Sequence, residues 1–390
     1  MNQPVILAAC RTPIGKFRGG FSSLSAPELG AVAIRAALER SGVSLNHVEE
    51  VILGNVLSAG VGQAPARQAA LKAGLPPSVA ALTINKVCGS GLKAVMLAAQ
   101  AIRVGDAQAI VAGGIESMSR APYLLARDGP VIGDRTLSDA MLGDGLACLF
   151  SGRSMGQIAE ALATSDGITR ADQDAYACES HRRAIDAQAQ GLFVNEIVSV
   201  TVQTRAGTQV LTHDEGPRAD CDLSRLSNLR PAFSDDGTVT PGNSSMISDG
   251  AAAVVVTSQE FATAQGLSPL VRIVASATSG TEPGDLFIAP VIAIQKVLER
   301  AGVSLSDVDL FEINEAFAVQ MLACMRRLDL SPEKTNINGG AIALGHPLGA
   351  SGARVLTTLI HALIRREARY GVAALCLGGG NAVAMLVERV

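Results

Sequence analysis

Two cysteines, a histidine and an asparagine stand in settings that favour chemistry over packing. Cys88 lies in Asn85-Lys86-Val87-Cys88-Gly89-Ser90-Gly91, at a turn between an apolar strand and a helical pattern. Its glycines permit tight backbone geometry. Free amides and the dipole at the helix start favour a thiolate and lower its pKa. A buried structural cysteine is the alternative, and the Gly-Ser-Gly flank weighs against it. A dinucleotide fingerprint fits poorly because its third glycine is missing. His346 is wedged between Gly345 and Pro347 in the mostly apolar loop Asn338 to Gly349. A histidine held this way can act as the base that activates a cysteine. Cys376 ends an apolar run just before Gly378-Gly379-Gly380, where a backbone N–H can approach a ligand. Asn314-Glu315-Ala316-Phe317 closes another apolar run and reads equally as a helix N-cap or as polar groups of a site.

The elements that must position these residues occur twice. Leu38-Glu39-Arg40-Ser41-Gly42-Val43-Ser44-Leu45 recurs 260 residues later as Leu298-Glu299-Arg300-Ala301-Gly302-Val303-Ser304-Leu305, with seven of eight positions identical. Ser90-Gly91 and its helical pattern recur as Ser351-Gly352, and Ala109 to Gly114 is echoed by Ala373 to Gly379. Three matches in one order at nearly constant offset indicate a duplicated α/β half. Each half reads as a helix with a glycine C-cap, buried strands, a glycine-rich turn, a helix and a last strand. By this repeat the His346 loop occupies in the second half the place of the Cys88 turn in the first. The stretch between, about Arg120 to Asp249, is richer in Gly, Asp, Arg and Ser and carries a helical segment from Arg170 to Gln190. It reads as an insertion of the kind that covers a site.

Composition narrows the function classes. Hydrophobic residues make up 48% and charged residues 17% of the 390, enough for large cores, while aromatics are 3% and Trp is absent. Cores built from Ala, Val, Leu and Ile with 40 glycines suit helix-on-sheet layers. A net charge of −4 supplies no basic excess for a nucleic-acid partner. The N-terminus lacks the pattern of a signal peptide, and no run of 18 uninterrupted apolar residues occurs, so neither secretion nor a membrane span is expected. Seven scattered cysteines form no Cys-x-x-Cys pair and no metal-like cluster with the five histidines. Reduced thiols in a cytoplasmic protein are the simplest reading.

Together, Cys-Gly-Ser-Gly, Asn-Glu-Ala-Phe, Gly-His-Pro and Cys-x-Gly-Gly-Gly, in this order, closely resemble the thiolase family. The resemblance runs along the whole chain, from Arg11-Thr12-Pro13-Ile14-Gly15 through Gly113 to Ser119, Leu229 to Phe233 and Asn243-Ser244-Ser245 to the last strand. It implies an α/β fold of two βαβαβαββ core domains in a layered α-β-α-β-α arrangement. The expected bounds are 1–119 with 250–268 for the first core domain, 120–249 for the inserted loop domain and 269–390 for the second core domain. It also implies acyl-CoA substrates, no cofactor or metal, and a homodimer or homotetramer. Asp128-Gly129-Pro130-Val131-Ile132-Gly133-Asp134 is the candidate pairing arm.

The resemblance also assigns roles. Cys88 would carry the acyl group and His346 would help form its thiolate. Cys376 would remove the α-proton of a second acetyl-CoA. One oxyanion would face His346 and a water held by Asn314, the other the backbone N–H groups of Cys88 and Gly378. Ser154, Met155, Arg218, Ala232, Phe233, Ser245, Ile247, Ala316 and Phe317 match the coenzyme and acyl contacts, and Leu286 to Pro290 would line the acyl pocket. Ser154 stands where many acetoacetyl-CoA-forming relatives carry His, which implies a wider pocket and measurable activity on longer 3-ketoacyl-CoAs. A decarboxylating ketosynthase would carry a second histidine in place of Cys376. A non-catalytic lipid carrier would have lost one of the four side chains, and a cysteine hydrolase would leave Cys376 idle.

Overall fold

A computed structural model describes residues 2–129, 132–204 and 207–390. Pro130 and Val131 of the candidate pairing arm lie outside the described residues. The first half contributes strands β1 (Pro4–Arg11), β2 (Glu50–Gly54), β3 (Ala80–Ile84), β4 (Ala109–Ser117) and β5 (Ser248–Ser258), with helices α1 (Ala26–Ser41), α2 (Pro65–Lys72) and α3 (Ser90–Val104). The insertion carries α4 (Met155–Asp166) and α5 (Arg170–Ala189). The second half adds β6 (Val271–Gly280), β7 (Leu310–Ile313), β8 (Tyr370–Leu377), β9 (Asn381–Arg389), α6 (Ala289–Ala301), α7 (Ala318–Leu328) and α8 (Leu348–Arg365).

One ten-stranded sheet runs β7-β8-β9-β6-β1-β5-β4-β2-β3, with Gly15–Lys16 pairing β5 at the side. Its register displays the duplication. β2 pairs β3 and β4 in parallel, and β4, β5 and β1 then alternate. In the second half β7 pairs β8 in parallel, and β8, β9 and β6 alternate. A single parallel bridge, Phe311 to Thr335, stands where β3 stands in the first half. The halves join edge to edge through Val5↔Arg272 and Ile6↔Val271. The repeated octapeptides end α1 and α6, whose C-caps Gly42 (φ 71°) and Gly302 (φ 64°) take the left-handed conformation glycine adopts without strain.

Three apolar cores separate the layers. α1 and α2 pack on one face of the first-half strands, and α6 and α7 on one face of the second-half strands. Between them, α3 and α8 share a core with strands of both halves. On α3, Leu92, Val95, Met96, Ala99 and Ile102 are all buried, and each large side chain so buried contributes about 1.5–3 kcal/mol. The segment Val87–Val104 has the length and mean hydropathy of a membrane span, yet here it is this central core helix. α3 and α8 cross at backbone distance. A Cβ on Gly91 would stand 2.8 Å from Ala353 N, and one on Gly352 would stand 2.3 Å from Leu92 N. These repeated glycines let the Cys88 turn and the His346 loop approach each other.

The chain leaves β4 for the insertion and returns as β5, between β1 and β4. A buried ion cluster clamps the insertion to the core. Arg11, at the end of β1, binds Glu196 at 2.7 Å and Asp214 at 2.6 Å with no side-chain exposure. Asp214 also accepts the Ile14 N–H at 2.7 Å. Removing one member of such a cluster leaves an uncompensated charge and costs about 3–5 kcal/mol.

Candidate active site

The Cys88 turn is held by its neighbours. Asn85 Oδ1 accepts the Val87 N–H at 2.9 Å, and Ser90 Oγ accepts the Lys86 N–H at 2.8 Å and donates to Val87 O at 2.6 Å. Val87 pays with a positive φ of 46°, a strained conformation for a β-branched residue and one that clusters at functional sites. A Cβ on Gly89 would lie 2.4 Å from Leu377 Cδ2, so this turn interlocks with the end of β8, beside Cys376. Gly379 and Gly380 then turn the chain at φ 82° and 85°.

Cys88, His346, Cys376 and Gly378 line one cavity of about 690 Å³. The backbone N–H groups of Cys88 and Gly378 both serve the Cys88 sulfur. Burial nonetheless pushes the thiol up to about 12, helped by the charge of Glu116. The depressed pKa expected from the helix start is therefore not found, because among the described residues no cation acts on Cys88 to offset the lost hydration. Cys376, buried at the end of β8, is raised further by burial and by the neighbouring Cys88.

His346 is neutral. Burial, with Arg354 adding a smaller effect, lowers it to about 3. Ser351 Oγ lies 2.6 Å from its Nδ1 and donates to Pro347 O at 2.8 Å. With the hydroxyl proton on Pro347 O, Nδ1 keeps its own proton and Nε2 is the free base. Asn314 is fully buried behind the ring, its Nδ2 3.4 Å from Nδ1, and is not part of the cavity lining. Its Oδ1 has no partner among the described residues.

The N-cap alternative for Asn314-Glu315 does not hold. α7 begins at Ala318 with Phe317 in the cap position. Glu315 instead turns inward and accepts from Tyr176 Oη, Ser180 Oγ, Asn336 Nδ2 and Ile342 N at 2.7–3.1 Å. It ties α5 to the segment that precedes His346.

Ser154, Met155, Arg218, Ala232, Phe233, Ser245, Ile247, Ala316 and Phe317 all line the same cavity. Phe233 and Phe287 meet Phe317 edge-on, with centroids 6.3 and 5.2 Å away, and form an apolar wall with Cys376. Phe233 lies over Gly156, where a Cβ would meet the ring at 2.3 Å. Ser154 does more than leave room. It caps α4 in a reciprocal box, its Oγ accepting the Gln157 N–H at 3.2 Å while Gln157 Oε1 accepts the Ser154 N–H at 2.9 Å. The spacing Ser154-x-x-Gln157 carried that signal.

Sequence reasoning named one cation for the coenzyme, Arg218, but Lys16 and Arg225 also reach the lining. Arg225 is paired with Asp220 and Asp222, which leaves Lys16 and Arg218 better placed for phosphate. Sequence reasoning also missed Ser351 and Glu116, whose places depend on contacts between distant segments.

The description "Thiolase, N-terminal domain" matches residues 4–260 and "Thiolase, C-terminal domain" matches residues 267–389. The chain is 53% identical to an acetyl-CoA acetyltransferase of Escherichia coli K12, with 100% of both chains covered. It is 52% identical to one from Pseudomonas aeruginosa and 48% identical to a probable acetyl-CoA acyltransferase of Staphylococcus aureus, again over the full length of both. Superposed on the crystal structure of the Bacillus anthracis acetyl-CoA acetyltransferase it gives a TM-score of 0.98 at 43% identity, covering 100% of this chain and 99% of that one. With the duplicated layers and the two-cysteine cavity, these likenesses decide the matter: the chain belongs to the thiolase family.

Proposed function

We propose that this thiolase joins two acetyl-CoA into acetoacetyl-CoA and CoA, and runs the same reaction backwards as thiolysis. The observation that carries the reading is the convergence of Cys88, His346, Cys376 and the Cys88 and Gly378 amides on one cavity, with the coenzyme candidates around it. The Cys88 sulfur attacks the thioester carbonyl, its proton passing to His346 Nε2. The bond to the CoA sulfur breaks, and CoA leaves with that proton. The Cys88 and Gly378 amides hold the carbonyl oxygen as it gains charge. Cys376, its own thiol proton first passed to His346 Nε2, then takes the α-proton of the second acetyl-CoA. The carbanion attacks the acyl-Cys88 carbonyl, a C–C bond forms, and Cys88 departs and takes back a proton from His346, which returns both cysteines to thiols. The second oxyanion falls to His346 and a water on Asn314. No electrons change hands, so the reaction calls for no cofactor.

Lys16 and Arg218 would meet the coenzyme phosphates, and the Phe233–Phe317 wall the pantetheine. A broader 3-ketoacyl-CoA range is the second reading, favoured by Ser154 where a larger side chain would narrow the site. Thiolysis rates across a ladder of 3-ketoacyl-CoAs test both, and no CoA-dependent cleavage of any member would overturn the function. We also propose a cytoplasmic homodimer or homotetramer serving fatty-acid metabolism. Edge strand β3 supports the assembly, with Leu82 42% exposed and one side of the strand unpaired.

A further inference from the structure

Cys178 and Cys221 look unrelated in the sequence, yet their sulfurs lie 3.8 Å apart. Both are free and half-buried. Cys178 sits on α5 and is not part of the cavity lining, whereas Cys221 belongs to the lining segment that also supplies Arg218, Asp220 and Arg225. That segment already hangs on α5. Arg218 N donates to His181 Nδ1 at 3.2 Å, Cys221 N donates to Arg218 O at 3.2 Å, and Arg170 binds Leu229 O at 3.1 Å. The two thiols therefore span the seam between a fixed helix and the cation-bearing wall of the cavity.

From this geometry we infer that Cys178 and Cys221 form a reversible disulfide, with a low-molecular-weight disulfide as oxidant, that draws the Arg218 wall toward α5 and weakens coenzyme binding. A disulfide needs its sulfurs about 2.05 Å apart, so closure moves Cys221 toward Cys178 and away from the cavity. Cys221 is the entry point because it faces the cavity; burial raises its thiol, with Cys178 and Arg218 acting in the opposite sense. Cys178 is held higher, at about 12, by burial and by Cys221 itself. In the first step the Cys221 thiolate attacks one sulfur of the oxidant and expels one thiolate, leaving a mixed disulfide. In the second the Cys178 thiolate attacks the Cys221 sulfur and expels the other thiolate. The two protons lost from the protein balance the two thiolates released, and the oxidant is reduced to two thiols.

The consequence for coenzyme binding rests on the proposed function, but formation of the disulfide does not. The test uses the full chain carrying Cys88→Ser and Cys376→Ser, so that the reacting cysteines cannot compete. It is incubated with glutathione disulfide at pH 8.5 and mapped by non-reducing peptide mass spectrometry, with CoA affinity measured by calorimetry. The expected result is a Cys178–Cys221 cross-link two hydrogens lighter than the dithiol, CoA affinity about tenfold weaker through the displaced Arg218 contact, and recovery of both with dithiothreitol. Adding Cys178→Ser is expected to stop the reaction at a glutathione adduct on Cys221. A lasting adduct on Cys221 while Cys178 is present, or two thiols still open to alkylation, would overturn the inference. A cross-link with unchanged CoA affinity overturns the coupling to the site. A reduced protein that binds no CoA at all counts instead against the proposed function, and the cross-link is still read by mass.

Discussion

The Glu116 carboxylate accepts the backbone N–H of Gly349 at 2.8 Å, across 233 residues of chain. The same group takes Val56 N at 3.0 Å, Leu57 N at 3.2 Å and Asn55 Nδ2 at 2.7 Å. One buried side chain of the first half thus closes the amide end of α8, three residues past His346. Burial raises it to about 7 despite these donors. Glu116→Ala would strand three backbone amides, each costing about 1–3 kcal/mol, and remove one of the two acceptors of the Asn55 side chain. We expect a loss of roughly 4 kcal/mol in denaturant unfolding and a fall in kcat of about tenfold or more as His346 shifts. Glu116→Gln keeps one oxygen acceptor and should lose less. A Glu116→Ala protein as stable and active as wild type would refute this positioning role.

Ser154 joins specificity to helix capping. Ser154→Ala should cost about 1 kcal/mol in stability, and Ser154→Asn, which keeps a capping oxygen, a few tenths. Ser154→His fills the cavity and should narrow the range of 3-ketoacyl-CoAs cleaved, an effect of about 1–3 kcal/mol per methylene. A wild-type profile confined to acetoacetyl-CoA and unchanged by Ser154→His would show that this position does not set chain length.

Cys376→Ser separates the half-reactions. The variant should still accept acetyl on Cys88 at a rate within about threefold of wild type, while condensation drops by about 10² or more. Equal loss of both would contradict a dedicated α-proton base.

Acid should weaken the fold partly through His181. Burial, with Arg218 adding to it, lowers His181 from 6.5 to about 4. Between those values the unfolded chain binds the proton and the folded chain does not, so stability falls as pH drops through that window and levels off below it. His346 acts in the same sense, from 6.5 down to about 3. Glu116 has the opposite sign and costs stability as pH rises from 4.5 to about 7. The difference between wild type and His181→Gln isolates the first effect. Wild type should lose on the order of 2 kcal/mol more than the variant between pH 7 and pH 4. Parallel pH profiles would show that His181 does not titrate in this way.

Local pattern made much of this legible. The octapeptide repeat announced the duplication, and Cys88 at a strand-to-helix turn, His346 between the short helix Ala341–Leu344 and α8, and Cys376 at the end of β8 share one cavity. What stayed hidden depends on contacts through space. Glu116 has no sequence neighbour that marks Gly349 as its partner, and Ser351 looked like part of a helix repeat until it met His346. Asn314 read as a possible cap because the α7 start lies four residues further on. The scattered cysteines gave no hint that Cys178 and Cys221 adjoin. The elevated Cys88 pKa was missed because burial is a property of the folded site, whereas helix-start amides can be read from pattern.

The most direct test of the account is where the acyl group resides. After brief mixing with radiolabelled acetyl-CoA, acid quench and peptide mapping, the label should sit on the Cys88 peptide, and Cys88→Ala should take up none while remaining folded by circular dichroism. Label on the Cys376 peptide, or undiminished labelling of Cys88→Ala, would contradict it.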